Sequence, residues 1–228
     1  MLVCKKLVFT LFDVFFVKGL RVMLLRLPRF SMMALMAVYV LIQSGCMPGQ
    51  SRIYAPSISA SSAGQEAMEM YDANKDGKIS GAELDKVPAL ISGLVPLNSS
   101  KEKGITAADI TARIEKWQES KIGRMAFSCT ITRKGKPLAG AEVKFVPEKF
   151  LGSKMPVCTG TTSDLGYVSV SEPVEGPDDP KGIPPGYYRI EITKAGENIP
   201  AKYNTQTIFG IEIAPDRQDT GGLIFDIK

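Results

Sequence analysis

The chain has 228 residues, of which 44% are hydrophobic and 23% are charged, proportions typical of a globular protein. It has no histidine and four scattered cysteines, which excludes histidine-based catalytic triads, histidine-ligated zinc and a Cys4 zinc site. Residues 1–46 hold six Lys/Arg and one Asp, so the other 182 residues hold 22 basic and 23 acidic groups. Because this larger part is near neutral, we expect no nucleic-acid binding.

The first 46 residues are typical of an export signal. A basic stretch precedes an apolar run at residues 32–42, and small and polar residues follow up to Cys46. This run of eleven residues is too short to span a bilayer, which takes about 20. A complete signal of ordinary length begins at Met23, so we expect translation to start there.

The end of this leader, the sequence IQSGC, resembles the lipobox of bacterial lipoproteins. Ser44, Gly45 and Cys46 fit the lipobox, whereas Gln43 departs from it because that place is usually Leu. The resemblance implies cleavage before Cys46, lipidation of its thiol and anchoring to a membrane of the cell envelope. The alternative is an ordinary signal peptide with an incidental cysteine.

Residues 47–65 follow the leader and are rich in Ser, Ala, Gly and Pro, with no sustained period. This composition predicts a flexible linker. From Glu66 the pattern becomes helical, with Met68 and Tyr71 on one face.

A twelve-residue stretch from Asp72 to Glu83, DANKDGKISGAE, has the spacing D-x-[DN]-x-[DN]-G-x5-E. Calcium is a hard cation that takes about six to eight oxygen ligands. Side chains at alternate positions converge on such an ion as the loop winds, and Gly77 permits the sharp turn that this requires. The stretch resembles the calcium loop of an EF-hand.

The EF-hand resemblance implies one bound Ca²⁺ and assigns its ligands. Lys78 would contribute its backbone carbonyl, Ser80 would bind directly or through water, and Glu83 would supply two oxygens and begin an exit helix at 84–94. Ile79 would pair with a neighbouring loop. The full ligand set is Asp72, Asn74, Asp76, Lys78, Ser80 and Glu83. The alternatives are a surface turn rich in Asp, Asn and Gly, and a dockerin, which carries two good loops and binds cohesins.

EF-hands pair, and residues 98–109 are the candidate partner loop. Ile105 occupies the place that pairs with the first loop, and residues 107–117 are typical of its exit helix. Its departures from the pattern are Asn98, Lys103 and Asp109, which replace the first Asp, the glycine and the final Glu. We therefore expect a degenerate loop that supports the first one. One site with few carboxylates predicts a dissociation constant of roughly 10⁻⁴–10⁻³ M.

From Met125 the sequence period changes to two. Phe127, Cys129 and Ile131 alternate with polar residues, which predicts a strand with one buried face. Further strands, separated by Gly, Pro and Asp turns, are predicted at 141–147, 156–162, 167–170, 187–192, 206–213 and 223–227. About seven short strands of this kind indicate a β-sandwich.

Three stretches of this region, GKPLAGAEVKFVPE, TTSDLGYVSV and PPGYYRIEI, resemble carboxypeptidase regulatory-like (transthyretin-like) domains. The residues that carry the resemblance are Pro137, Gly140, Ala141, Val143, Thr162, Asp164, Gly166, Pro185, Gly186 and Tyr188. It covers about residues 125–228 and implies a small Greek-key sandwich, since turn and core motifs specify a fold and not an activity. The order of lipobox, EF-hand pair and sandwich is similar to exported planctomycete-type lipoproteins.

Other residues of the β region are candidates for a disulfide or a ligand site. Cys129 and Cys158 fall on strands of an exported region, where a disulfide can form; the alternative is two buried free thiols. The aromatic residues considered for a sugar-stacking platform are Tyr187, Tyr188, Tyr203 and Trp117. Tyr187 and Tyr188 alternate in direction, however, so we expect at least one in the core, and we expect Trp117 on the inward face of the last helix.

Paired carboxylates can hydrolyse glycosides, and Asp178 and Asp179 are such a pair in sequence. They lie in a Pro-rich stretch, which favours a solvated loop over a catalytic site. With no histidine and no credible nucleophile–base pair, we expect the chain not to be an enzyme.

These patterns predict an α+β protein in four segments: the leader 1–46, the linker 47–65, an EF-hand pair at 66–120, and a Greek-key sandwich of about seven strands at 125–228. We expect a calcium-binding, exported, cell-surface lipoprotein whose sandwich is a non-catalytic interaction or scaffolding domain. The partners are calcium, a membrane through the lipid anchor, and an envelope protein or a glycan. The alternative is a glycan- or protein-binding module in which calcium is purely structural.

Overall fold

The computed structural model describes residues 55–173, 181–217 and 222–228. The predicted export signal, the Met23 start, the lipidation site Cys46 and the pair Asp178 and Asp179 lie outside these ranges. Within the ranges, the chain forms three α-helices and eight strands in two four-stranded sheets, an α+β fold. None of the helices in this part of the chain has the length and apolar character needed to cross a membrane.

The helices are α1 (Ala60–Tyr71), α2 (Pro88–Gly93) and α3 (Ala107–Glu119). Helix α1 begins at Ala60, inside the range 47–65 whose composition predicts a linker. The helix extends into this range because of tertiary packing, since the small residues of α1 let it approach α3 closely. A Cβ on Gly64 would lie 2.5 Å from the carbonyl oxygen of Ala107 and 2.6 Å from Oγ1 of Thr111.

The prediction of one continuous exit helix at 84–94 is wrong. The chain forms a 3₁₀ turn at Leu84–Lys86 and then α2, with Val87 between them at φ −134° and ψ 69°. Pro88 is the cause, since a proline disfavours helical dihedrals in the residue before it and is well placed as the first residue of a new helix.

Helix α3 confirms the helix predicted at 107–117. Thr106 is its N-cap, and a capping box joins Thr106 to Asp109. Trp117 near its end is 3% exposed, as expected for an inward-facing residue.

The first sheet has the order β2-β1-β5, and β8 also pairs with β1. The second has the order β4-β3-β6-β7. All pairs are antiparallel except β1 with β8, which is parallel. The strands are β1 (Phe127–Arg133), β2 (Lys136–Pro137), β3 (Glu142–Pro147), β4 (Cys158–Thr161), β5 (Tyr167–Val170), β6 (Gly186–Thr193), β7 (Gly210–Ile213) and β8 (Ile224–Ile227).

The two sheets share a buried core. Phe127, Cys129 and Ile131 of β1 are all buried, which confirms the predicted alternation. The ring of Phe127 lies 5.3 Å from that of Phe145 on β3, so buried faces of the two sheets meet. A bridge between Thr159 and Ser171 also links β4 to the end of β5.

The helices pack directly on the second sheet. Gly210 of β7 lies so close to α2 that a Cβ on it would be 2.2 Å from the backbone nitrogen of Ala89. Trp117 of α3 packs its ring 4.9 Å from that of Tyr187 on β6. The helical region and the strands therefore form one continuous core.

A buried polar cluster fixes α3 on this sheet. The Arg113 guanidinium donates to Glu212 Oε1 at 2.5 Å and to both oxygens of Asp216 at 2.7 Å. Trp117 Nε1 donates to the same Glu212 oxygen at 3.0 Å. Arg113 and Lys116 hold the pKa of Asp216 well below its usual range, whereas burial raises that of Glu212.

Candidate metal centre

The calcium loop predicted from the sequence, residues 72–83, connects α1 to the 3₁₀ turn. Most of it is exposed to solvent, and Ile79 is fully buried. The backbone turns through three left-handed conformations, at Lys75 (φ 58°), Gly77 (φ 82°) and Gly81 (φ 51°). Glycine adopts this conformation without strain, so the structure gives Gly77 the role that its place in the motif predicts.

The first three predicted ligands direct their side-chain oxygens into the loop. Asp72 accepts hydrogen bonds from the backbone N–H of Asp76 at 3.2 Å and of Gly77 at 2.9 Å. Asn74 Oδ1 accepts from the N–H of Asp76 at 2.9 Å. Asp76 Oδ1 in turn accepts from the N–H of Lys78 at 2.9 Å. The loop's own amides therefore hold all three side chains.

Glu83 ties the two ends of the loop together. Its Oε1 accepts from the N–H groups of Ala73 at 2.9 Å and Asn74 at 3.2 Å, and its Oε2 accepts from Ser80 at 3.1 Å. These backbone hydrogen bonds, that from Ser80 most of all, lower the pKa of Glu83. The carboxylate is therefore ionised and occupied by backbone donors.

The side chains of the loop do not form a cation site as they are placed. Among the described residues, no group of three or more carboxylate, thiol or imidazole side chains lies close enough to hold a metal ion. Asp72, Asp76 and Glu83 supply hard oxygen donors of the type calcium prefers. The residues fit a calcium ion if Glu83 exchanges its bonds to Ala73 and Asn74 for the ion.

The loop at 98–109 pairs with the first loop through backbone hydrogen bonds. The N–H of Ile79 donates to the carbonyl of Ile105 at 2.9 Å, and the reverse bond is 3.1 Å long. Gly81 N–H also donates to the carbonyl of Lys101 at 2.9 Å. Gly104, at φ 75°, leaves room for this approach, since a Cβ there would be 2.8 Å from that of Ser80.

The polar groups of the second loop are already occupied. Lys103 Nζ donates to the carbonyl of Asn98 at 3.3 Å. An ammonium therefore lies beside Asn98, the position of the first calcium ligand in the EF-hand pattern. Lys101 pairs with Asp85 at 2.6 Å. Asp109 accepts from the N–H and hydroxyl of Thr106 at 2.9 and 2.7 Å and so caps α3.

Cys129 and Cys158 are both buried free thiols in the structure. They lie on different sheets, on β1 and β4. Burial raises the pKa of each thiol to about 12, so both remain protonated at neutral pH. The sequence allows a disulfide or two free thiols, and the structure has two free thiols.

The aromatic residues considered as a sugar platform belong to the core. Tyr187, Tyr188, Tyr203 and Trp117 are each at most 3% exposed, so they offer no surface on which a sugar could stack. An open groove of about 490 Å³ lies elsewhere, across β3, β4 and the end of β6, and is lined by glycine, alanine, threonine, Glu142 and Lys194.

One buried cluster is not predicted by any motif in the sequence. The hydroxyl of Tyr71 donates to Glu148 at 3.0 Å, and Arg189 lies 3.9 Å from the same carboxylate. In the sequence, Glu148 is marked only by its place directly after strand β3. That position does not show whether its carboxylate is buried or exposed.

The chain has no match among family models, curated proteins or solved structures.

Proposed function

We propose that residues 72–83 bind one calcium ion as an EF-hand loop, with ligands from Asp72, Asn74, Asp76, Ser80, Glu83 and the carbonyl of Lys78. The observation that carries this proposal is the loop's geometry. Its backbone turns at Lys75 and Gly77, and the loop's own amides hold the oxygens of Asp72, Asn74 and Asp76. An ordinary surface turn has no need of a buried Ile79 bridging a second loop and a glutamate closing the first.

Glu83 is the residue that moves on binding. It exchanges the N–H groups of Ala73 and Asn74 for the ion, while Ser80 holds the other oxygen. Each exchanged hydrogen bond is a cost to binding. With three carboxylates and two lysines in the loop, we expect a dissociation constant of roughly 10⁻⁴–10⁻³ M, the range of extracellular calcium modules.

The second loop acts as a metal-free partner in this pair. Its bridge at Ile105 fixes Ile79, while Lys101 and Lys103 bring positive charge where a second calcium would need negative charge. We infer that the pair binds one ion and not two.

The whole chain, in this proposal, is an exported lipoprotein anchored at the cell envelope through Cys46. Weak calcium binding suits that location, because calcium outside cells reaches the concentrations that the loop requires. The strands form a transthyretin-like β-sandwich that serves as a non-catalytic scaffold or interaction domain. The chain has no histidine, and its described thiols are buried and protonated, which supports a non-catalytic role.

Calorimetric titration of the chain with calcium tests the proposal, with Glu83→Gln as the loss variant and Glu102→Gln as the control. Glu102 is an exposed carboxylate of the second loop, so its variant removes the same charge a short distance away. We expect one site in the parent chain and in Glu102→Gln, and binding about tenfold or more weaker in Glu83→Gln. Absence of binding in the parent chain, or equal binding in Glu83→Gln, contradicts the assignment.

A further inference from the structure

A buried carboxylate joins the helix that enters the calcium loop to the β region. Tyr71 is the last residue of α1 and immediately precedes Asp72, the first proposed ligand. Its hydroxyl donates to Glu148 Oε2 at 3.0 Å. Glu148 follows β3, and its backbone N–H donates to the carbonyl of Tyr187 on β6 at 2.9 Å. The backbone of Glu148 is therefore held by the sheet, and the one side-chain donor to its carboxylate among the described residues comes from α1.

The carboxylate of Glu148 has fewer hydrogen-bond donors than its two oxygens can accept. The residue is 1% exposed, and its Oε1 has no hydrogen-bond partner among the described residues. The ionisable groups that act on it are Tyr71 from α1, Lys149 from the 3₁₀ turn Lys149–Leu151, and Arg189 from β6. Arg189 Nε is 3.9 Å away, beyond hydrogen-bond distance. Burial and a single donor leave the ionised and protonated forms close in free energy.

These opposing effects place the titration of Glu148 near neutrality. Burial raises its pKa to about 7, although Arg189, Tyr71 and Lys149 oppose the rise. The chain has no histidine to titrate in the same range. Glu212, a second buried acid whose pKa burial raises, differs because Arg113 contacts it directly at 2.5 Å.

We propose that Glu148 is a proton-linked latch, and that loss of its proton strengthens calcium binding at residues 72–83 through Tyr71. The inference rests on the proposed calcium site. Ionised Glu148 accepts a stronger, charge-assisted hydrogen bond from Tyr71 than the protonated acid does. Deprotonation therefore fixes the end of α1 and the position of Asp72. Since linkage is reciprocal, calcium binding promotes release of the Glu148 proton.

Calcium titration of the full chain at pH 6 and pH 8 tests the latch, with a second measurement at pH 7 in two buffers of different ionisation enthalpy. We expect the parent chain to bind roughly fivefold more tightly at pH 8 and to release protons at pH 7. Glu148→Gln and Tyr71→Phe each remove one half of the latch, and both should bind equally at the two pH values without proton release. Glu102→Gln, which leaves the latch intact, should behave as the parent.

The outcomes separate the latch from the calcium site. Equal affinity at the two pH values in the parent chain, or an unchanged pH dependence in Glu148→Gln or Tyr71→Phe, overturns the latch while the calcium site stands. Absence of calcium binding in the parent at both pH values overturns the proposed site and the latch with it.

Discussion

The two loops that meet at the bridge between Ile79 and Ile105 share a backbone contact but differ in what occupies their polar groups. In the first loop, Glu83 accepts three backbone N–H groups, two of which it exchanges for the ion in the proposed calcium site. In the second loop, Asp109 caps α3 and Lys103 places an ammonium beside Asn98. The loops therefore pair through the backbone, whereas the capacity to bind an ion depends on the side chains.

The largest expected effect comes from separating the second loop's exit helix from the sheet. Arg113→Met leaves the buried carboxylate of Glu212 without its main partner, so we expect a loss of about 3–5 kcal/mol in the free energy of unfolding. Urea denaturation followed by circular dichroism measures it. Lys116→Met is the control on the same helix, because that side chain is 60% exposed in its pair with Asp216. A cost in Arg113→Met as small as in the control would show that the cluster does not fix α3.

The next effect concerns Glu148, which touches the helix entering the first loop. Its folded-state pKa is raised to about 7 from an ordinary 4.5, so the folded chain binds more protons than the unfolded chain between these values. Stability therefore falls as pH rises from about 5 to 7, by about 3 kcal/mol at most. Denaturation at pH 5 and pH 8 should show this fall in the parent and a smaller one in Glu148→Gln. Identical pH profiles would contradict the raised pKa.

A glycine substitution breaks the contact that the two loops share. Gly104→Ala places a Cβ 2.8 Å from that of Ser80 and 2.9 Å from the Ile79 carbonyl oxygen, at φ 75°. We expect a loss of about 2 kcal/mol from strain and clash and weaker calcium binding. Gly81→Ala is the matched control, because it has a positive φ with open space around its Cβ. Equal melting temperatures for the two variants would mean that the close approach is unimportant.

The smallest effect tests the charged surface between the loops. Lys101 and Asp85 are 42% and 58% exposed in their side chains, and exposed ion pairs contribute little. Lys101→Gln should cost less than about 1 kcal/mol, and salt should reduce the difference further. Denaturation at low and high ionic strength measures it; a larger, salt-independent loss would indicate a structural role for Lys101.

Local patterns predicted much of this architecture. The spacing from Asp72 to Glu83 placed the turn at Gly77, and the period of two placed buried residues such as Ile131 correctly. The continuous exit helix predicted at 84–94 was wrong, because Pro88 disfavours helical dihedrals at Val87 and starts a separate helix.

Contacts between distant parts of the chain could not be predicted in this way. Glu148 and Tyr71 are 77 positions apart, and Arg113 and Glu212 are 99 apart. Neither pair has a local spacing that signals contact. Likewise, α1 begins at Ala60 because Gly64 meets α3, a packing reason that is not visible in the composition of residues 47–65.

The most direct test of the central claim is an amide NMR titration of the ¹⁵N-labelled chain with calcium. The account predicts saturable shifts at Ala73 and Asn74, whose N–H groups lose Glu83, and at Gly77, while amides of the second loop between Asn98 and Lys103 change little. Absence of saturable shifts in residues 72–83, or equal shifts in both loops, would contradict a single calcium site in the first loop.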